Sequence, residues 1–247
     1  MKRISLVVIV AIVLVFNACK KQTEEFTSAP IEQYAPLVVG KYITYQLDSF
    51  KYLPFSLKDT TVTYQVKHVV DALINDNLGR PSYRIIRYIR KTALNPWLPD
   101  NSFMAVNTGG SHEFIENNQR FLKLKLPIKD GYTWKGNTYI DTYSLNSGVR
   151  YLDDWDYFYE NMDQSLNLGA IKVDSTITVN QRDEVIGNPA DPKSYSERNY
   201  GLEVYGKGIG MVYRKFLHTE FQPATPGNQS SYSDGSYGIT LKMIDHN

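Results

Sequence analysis

The chain has one cysteine, Cys19, in 247 residues. A lone cysteine excludes an internal disulfide and a thiolate-based metal centre. Histidine is scarce as well: the four, at positions 68, 112, 218 and 246, lack the close spacing of metal ligands. Net charge is nearly absent. With 27 basic and 26 acidic residues the balance is +1, which lacks the basic excess that nucleic acid demands and excludes it as a partner. After Phe16 no apolar run approaches the length of a membrane-spanning helix. Helical periodicity is missing too: no amphipathic segment exceeds two or three turns.

What is abundant is β-forming. Nineteen tyrosines and ten phenylalanines accompany many Thr, Val and Ile, a composition that favours strands over helices. Asp59 to Ile74 alternates, with Val62, Tyr64, Val66, Val70 and Ile74 on one face and Thr61, Thr63, Gln65 and Lys67 on the other. His68 falls in the inward row, as a hydrogen-bonded core or edge histidine. Asn75-Asp76-Asn77-Leu78-Gly79 is a strong turn, and Ser82 to Lys91 runs back as the hairpin partner, its apolar row interrupted by Arg87. Residues 92–112 read as loop, because Asn95-Pro96, Pro99-Asp100 and Gly109-Gly110 are turn chemistry. Phe121 to Leu126 reads as a half-buried strand with Leu122, Leu124 and Leu126 inward and Lys123 and Lys125 outward. Further strands follow at Trp155–Tyr159, 171–179, 201–205, 211–221 and 239–245, with long loops at 187–199 and 222–238. Hairpin spacing without intervening helices predicts a mainly β fold: antiparallel sheet curved into a barrel, half-barrel or sandwich.

Two stretches echo each other. Pro36-Leu37-Val38-Val39-Gly40 and Pro127-Ile128-Lys129-Asp130-Gly131 are 91 residues apart. Either the domain is two related halves breaking near residues 92–120, or a turn-into-strand device recurs.

Candidate chemistry is sparse. Gly206-Lys207-Gly208-Ile209-Gly210 has glycines at the first, third and fifth positions and precedes a β-alternating segment, so it suits a tight turn better than a phosphate loop. Asp153, Asp154, Asp156 and Glu160 surround Trp155. Paired acids beside aromatics are what glycoside hydrolysis needs, while a solvated strand end is the plainer account. No serine sits in a nucleophile elbow, and no metal or cofactor motif is present. No catalytic residue is assigned. Trp134, Trp155, Tyr157 and Tyr159 are the candidate ligand-facing aromatics, for such rings line apolar cavities, stack on sugars, or simply fill a core.

The first 21 residues carry the clearest signal. Lys2 and Arg3 precede an apolar run from Ile4 to Phe16, and Asn17-Ala18 leads into Cys19-Lys20-Lys21. This run of thirteen residues, broken only by Ser5, is too short to span about 30 Å of hydrocarbon, as expected of a signal-peptide core. The segment resembles a bacterial lipoprotein signal. That resemblance implies cleavage before Cys19, which would carry diacylglyceryl and N-acyl (palmitate-type) chains. Residues 1–18 are then the signal peptide, and 19–33 the lipidated cysteine with a flexible polar tether. Residues 34–247 form a single β domain.

Together with Tyr34 to Gly40, Pro127 to Trp134 with Gly136-Asn137, Tyr205 to Val212 and Tyr237 to Leu241, that signal resembles a group of uncharacterised outer-membrane lipoproteins common in Bacteroidota. The resemblance implies a lipid-anchored outer-membrane location, with the periplasmic or surface side open. It carries over no functional residue except Cys19. The leading expectation is a non-enzymatic domain that binds an envelope protein or glycan, without a cofactor. The alternatives are a carrier or sensor of an apolar ligand inside a curved sheet and, third, a glycan hydrolase using Asp154 and Asp156. Asp59-Thr60-Thr61 and Asp174-Ser175-Thr176 also resemble short O-glycosylation acceptors of exported Bacteroidota proteins.

Overall fold

The computed structural model describes residues 27–54 and 56–247. The signal segment, Cys19 and the tether as far as Phe26 lie outside the described residues.

The fold is mainly β, a nearly closed antiparallel barrel. In chain order the strands are β1 (Tyr42–Tyr52), β2 (Asp59–Asn75), β3 (Pro81–Arg90), β4 (Leu98–Asn107), β5 (Ser111–Glu116), β6 (Gln119–Lys125) and β7 (Thr133–Lys135). Then come β8 (Asp156–Asn167), β9 (Lys172–Gly187), β10 (Ser196–Gly206), β11 (Gly210–Gln222), β12 (Ser231–Tyr232) and β13 (Tyr237–His246). All form one sheet in the order β6-β5-β4-β3-β2-β1-β13-β11-β10-β9-β8-β7, with β12 paired to β11 at the side. Two six-stranded meanders, β1–β6 and β7–β11 plus β13, are thus joined along β1 and β13. The divide lies between β6 and β7, whereas residues 92–120 hold β4 and β5.

The sheet's two ends come back together. The Leu122 amide of β6 donates to Gly136 O at 2.8 Å, just beyond β7. Trp134 Nε1 of β7 donates to Leu122 O at 2.8 Å. Tyr159 of β8 clamps Lys125, its hydroxyl accepting from the amide at 2.8 Å and donating to the carbonyl at 2.9 Å. A sheet that closes leaves no long unpaired edge, which is the usual reward for such curvature.

The echoed stretches turn out to be equivalent latches. Lys41 N bonds to Val38 O, Gly40 N to Val70 O, and Val70 N back to Lys41 O. Tyr132 N bonds to Lys129 O, Gly131 N to Tyr159 O, and Tyr159 N back to Tyr132 O in the same way. Each turn fastens to the second strand of its own meander. Gly40 and Gly131 take φ of 90° and 73°, the left-handed region that favours glycine because it has no Cβ.

Several expectations need correction. Residues 98–107 and 111–116 are strands: β3 pairs with Pro99 and takes up Asp100 at a register shift, and β5 pairs with β4 from Met104 to Asn107. β10 begins at Ser196, inside the expected loop. The ordered fold also starts before Tyr34. Ala29 bridges to Ile128, and Ile31–Gln33 makes a 3-10 turn with Ile31 only 2% exposed. Gly208 N donates to Gln33 O and Asn107 Nδ2 to Ala35 O. Polar composition suggested a tether through Gln33, but one isoleucine gains enough burial to fix the segment across a barrel mouth.

Candidate functional site: a charged cavity inside the barrel

Lys123 faces the barrel interior. Register explains it: His112 pairs with Leu124 while Glu113 pairs with Leu122, so Lys123 is the extra residue of a β-bulge. A bulge breaks strict alternation and re-aims a side chain, which is why the outward reading of Lys123 fails. Its ammonium lies 2.6 Å from Glu203 Oε1 of β10. Glu203 is fully buried, and Tyr205 Oη donates to its other oxygen at 2.7 Å. Arg214 of β11 stands opposite Glu203 in register, with Nε 3.5 Å from Oε1. The same guanidinium reaches Glu116 of β5 by two hydrogen bonds of 2.8 and 3.1 Å. Lys123, Glu203, Arg214 and Glu116 therefore alternate in sign across the interior, tying β5 and β6 to β10 and β11.

Electrostatics favours the ionised forms of the acids. Burial alone would raise the Glu116 carboxyl, but Arg214 and Lys123 outweigh it and bring the pKa down to about 2. Burial likewise opposes ionisation of Glu203, and Lys123 and Arg214 overcome it. For Lys123 the balance tips the other way: burial lowers its pKa more than Glu203 raises it. Glu203 has two cations and a hydroxyl, whereas the ammonium has one close carboxylate, so both directions are consistent.

These groups form one side of a cavity of about 290 Å³. The rest of its lining is largely apolar, including Leu37, Ile43, Val70, Ile85, Phe103 and Ile209, with Arg87 and Lys41 among the few further charged groups. His68 also lines it, edge-on to Tyr45 at 5.1 Å and to Phe103 at 5.4 Å. The inward placement agrees with strand alternation, but the expected hydrogen bonding does not: Nε2 is buried without a partner. Burial, reinforced by Arg87 and Arg214, pushes its pKa down to about 3. His112 lines the cavity too, with Nδ1 2.7 Å from Asn107 Oδ1.

The sequence-derived candidates lie elsewhere. Trp134, Trp155, Tyr157 and Tyr159 share one buried cluster beside the closure and do not border this cavity. Their polar atoms are used internally: Trp155 Nε1 donates to Tyr151 O and Tyr157 Oη to Asn137 Oδ1. Trp155 and Tyr157 border a smaller space of about 50 Å³. Asp154 and Asp156 are exposed and both pair with Lys135, which holds the Asp154 carboxyl below the usual range. A glycosidase acid needs the opposite shift. Gly206–Gly210 is the β10–β11 turn, with no helix following. Among the described residues no group of three or more His, Cys, Asp or Glu could hold a metal ion, and no helix is long and apolar enough to cross a membrane.

Glu116, Lys123, Glu203 and Arg214 were missed from the sequence. Two carried a signal: Glu203 is in phase with Gly201 and Tyr205, and Arg214 with Phe216, so charges sat in inward rows. The chain matches no protein-family model, no curated protein and no solved structure.

Proposed function

We propose that this is a membrane-anchored envelope protein whose barrel binds a small, largely apolar ligand as carrier or sensor, without catalysing a reaction. The interior cavity carries this reading, since apolar walls with a few convergent polar groups are the usual makings of a small-molecule site. Of the functions left open by the sequence, an inward-facing hollow favours this one. Attachment rests on Cys19, eight residues before Thr27, a reach of at most about 28 Å from the plugged mouth. Native mass spectrometry on protein purified from its own envelope in mild conditions tests the binding. A stoichiometric small-molecule adduct is expected; a clean apo mass in repeated preparations overturns it.

A second reading, docking of an envelope partner, rests on the opposite end of the barrel. Antiparallel alternation places the β1–β2, β3–β4, β7–β8 and β9–β10 loops together there. They expose Leu57, Leu94, Tyr143 and Leu145, with Ile186 beside them at the end of β9; Leu94 is 96% and Leu145 88% exposed. Crosslinking in the native envelope through a photoreactive residue at Leu94 distinguishes the two: a discrete protein adduct supports docking, and its absence removes it.

A further inference from the structure

Resting on the ligand-binding reading, we infer that the cavity selects an uncharged amphiphile with one hydrogen-bonding group, held at His68 Nε2, and discriminates against the corresponding carboxylate. The space of about 290 Å³ equals roughly ten molecules of liquid water at ~30 Å³ each, hence a ligand of about ten non-hydrogen atoms.

The charge arrangement determines the class. Four cationic side chains border the cavity, and each is committed. Lys123 pairs with Glu203, and Arg214 with Glu116 and Glu203. Arg87 pairs with Asp100. Lys41, at the rim, donates to the carbonyls of Gly208 and Asn247 at 3.0 and 3.1 Å. Beyond the rim, where Lys41 is held by carbonyls rather than by an acid, an incoming carboxylate therefore finds every cation already paired with a carboxylate, meets two fixed carboxylates, and still loses its hydration. A fatty-acid binder would show the reverse, a buried guanidinium or ammonium left over for the headgroup.

A neutral polar group faces none of these costs. His68 Nε2 is buried and has no hydrogen-bond partner among the described residues, on a ring fixed between Tyr45 and Phe103. The neutral imidazole can donate or accept there, so a hydroxyl or a carbonyl suits it. Apolar residues on the remaining walls suit the hydrocarbon part.

The test measures binding of decan-1-ol and of decanoate to the protein near neutral pH by isothermal titration calorimetry, for the wild type, His68→Phe and His68→Gln. Phe keeps the ring contacts and removes the polar atom, while Gln restores one, so at least one variant is expected to fold. Decan-1-ol should bind at least about tenfold more tightly than decanoate. His68→Phe should weaken the alcohol roughly five- to tenfold, the worth of one buried hydrogen bond, and leave decanoate unchanged, with partial recovery in His68→Gln. If decanoate binds as well as the alcohol, or His68→Phe leaves alcohol binding intact, the inference fails while the cavity remains a ligand site. If neither compound binds, the ligand-binding reading itself falls.

Discussion

The ammonium of Lys123 on β6 lies 2.6 Å from Glu203 Oε1 on β10, both side chains almost wholly out of solvent. The contact spans the barrel interior, so it reports on closure as much as on the site. Substituting Lys123 by Met leaves Glu203 with Arg214 as its only close cation. We expect a loss of about 3–5 kcal/mol in urea unfolding, the usual result of breaking a buried pair. Lys123→Met combined with Glu203→Gln should regain much of it. A double variant no better than the single one refutes the coupling.

Acid should destabilise the protein well before its carboxylates titrate. The His68 pKa is pushed down to about 3 and that of His112 to about 4, chiefly by burial. Below about pH 6.5 the unfolded chain then binds more protons than the folded one, so stability is full above that pH and drains away as pH falls towards the folded values. Going from about pH 7.5 to about pH 5 costs about 2 kcal/mol per histidine. The lowered Glu116 carboxyl adds loss of the same sign only below about pH 4.5. Thermal melting across this range checks the trend. His68→Phe should flatten the curve and raise Tm by a few degrees at neutral pH, because it removes an unpartnered buried nitrogen. A profile parallel to wild type contradicts the burial of His68.

Barrel closure rests on a few side chains. Tyr159→Phe deletes both hydrogen bonds to Lys125 and should cost about 1–3 kcal/mol, with faster hydrogen exchange at the Lys125 amide. Gly136→Ala should be at least as harmful. A Cβ there would stand 2.3 Å from the Tyr157 ring, while Gly136 O must still receive the Leu122 amide. Wild-type melting of Gly136→Ala would show that the closure is looser than described.

Membrane attachment has a direct check. Growth with radiolabelled palmitate should label the wild-type protein, and Cys19→Ser should abolish the label and leave the chain uncleaved and heavier by its apolar signal, because both acylation and cleavage would depend on that thiol. Equal labelling of Cys19→Ser, or no label on the wild type, removes the lipid-anchor proposal.

The fold class, most strands and the Gly40 and Gly131 turns were legible in the chain, because they depend on local physics: side-chain alternation, β-branched and aromatic bias, and glycine at positive φ. The site was not. Lys123 sits in a Leu-Lys-Leu-Lys pattern that reads as outward, and only the bulge against His112 and Glu113 turns it inside. Glu116 and Arg214 are 98 residues apart and meet because the sheet curls until opposite strands share one interior. Trp134, Trp155, Tyr157 and Tyr159 looked like a ligand surface, yet lie in the closure core, since burial does not depend on residue type alone. Local sequence determined which segments extend and where they turn. Curvature, register shifts and closure, each a property of the whole sheet, decided which charges face one another in a low-dielectric interior.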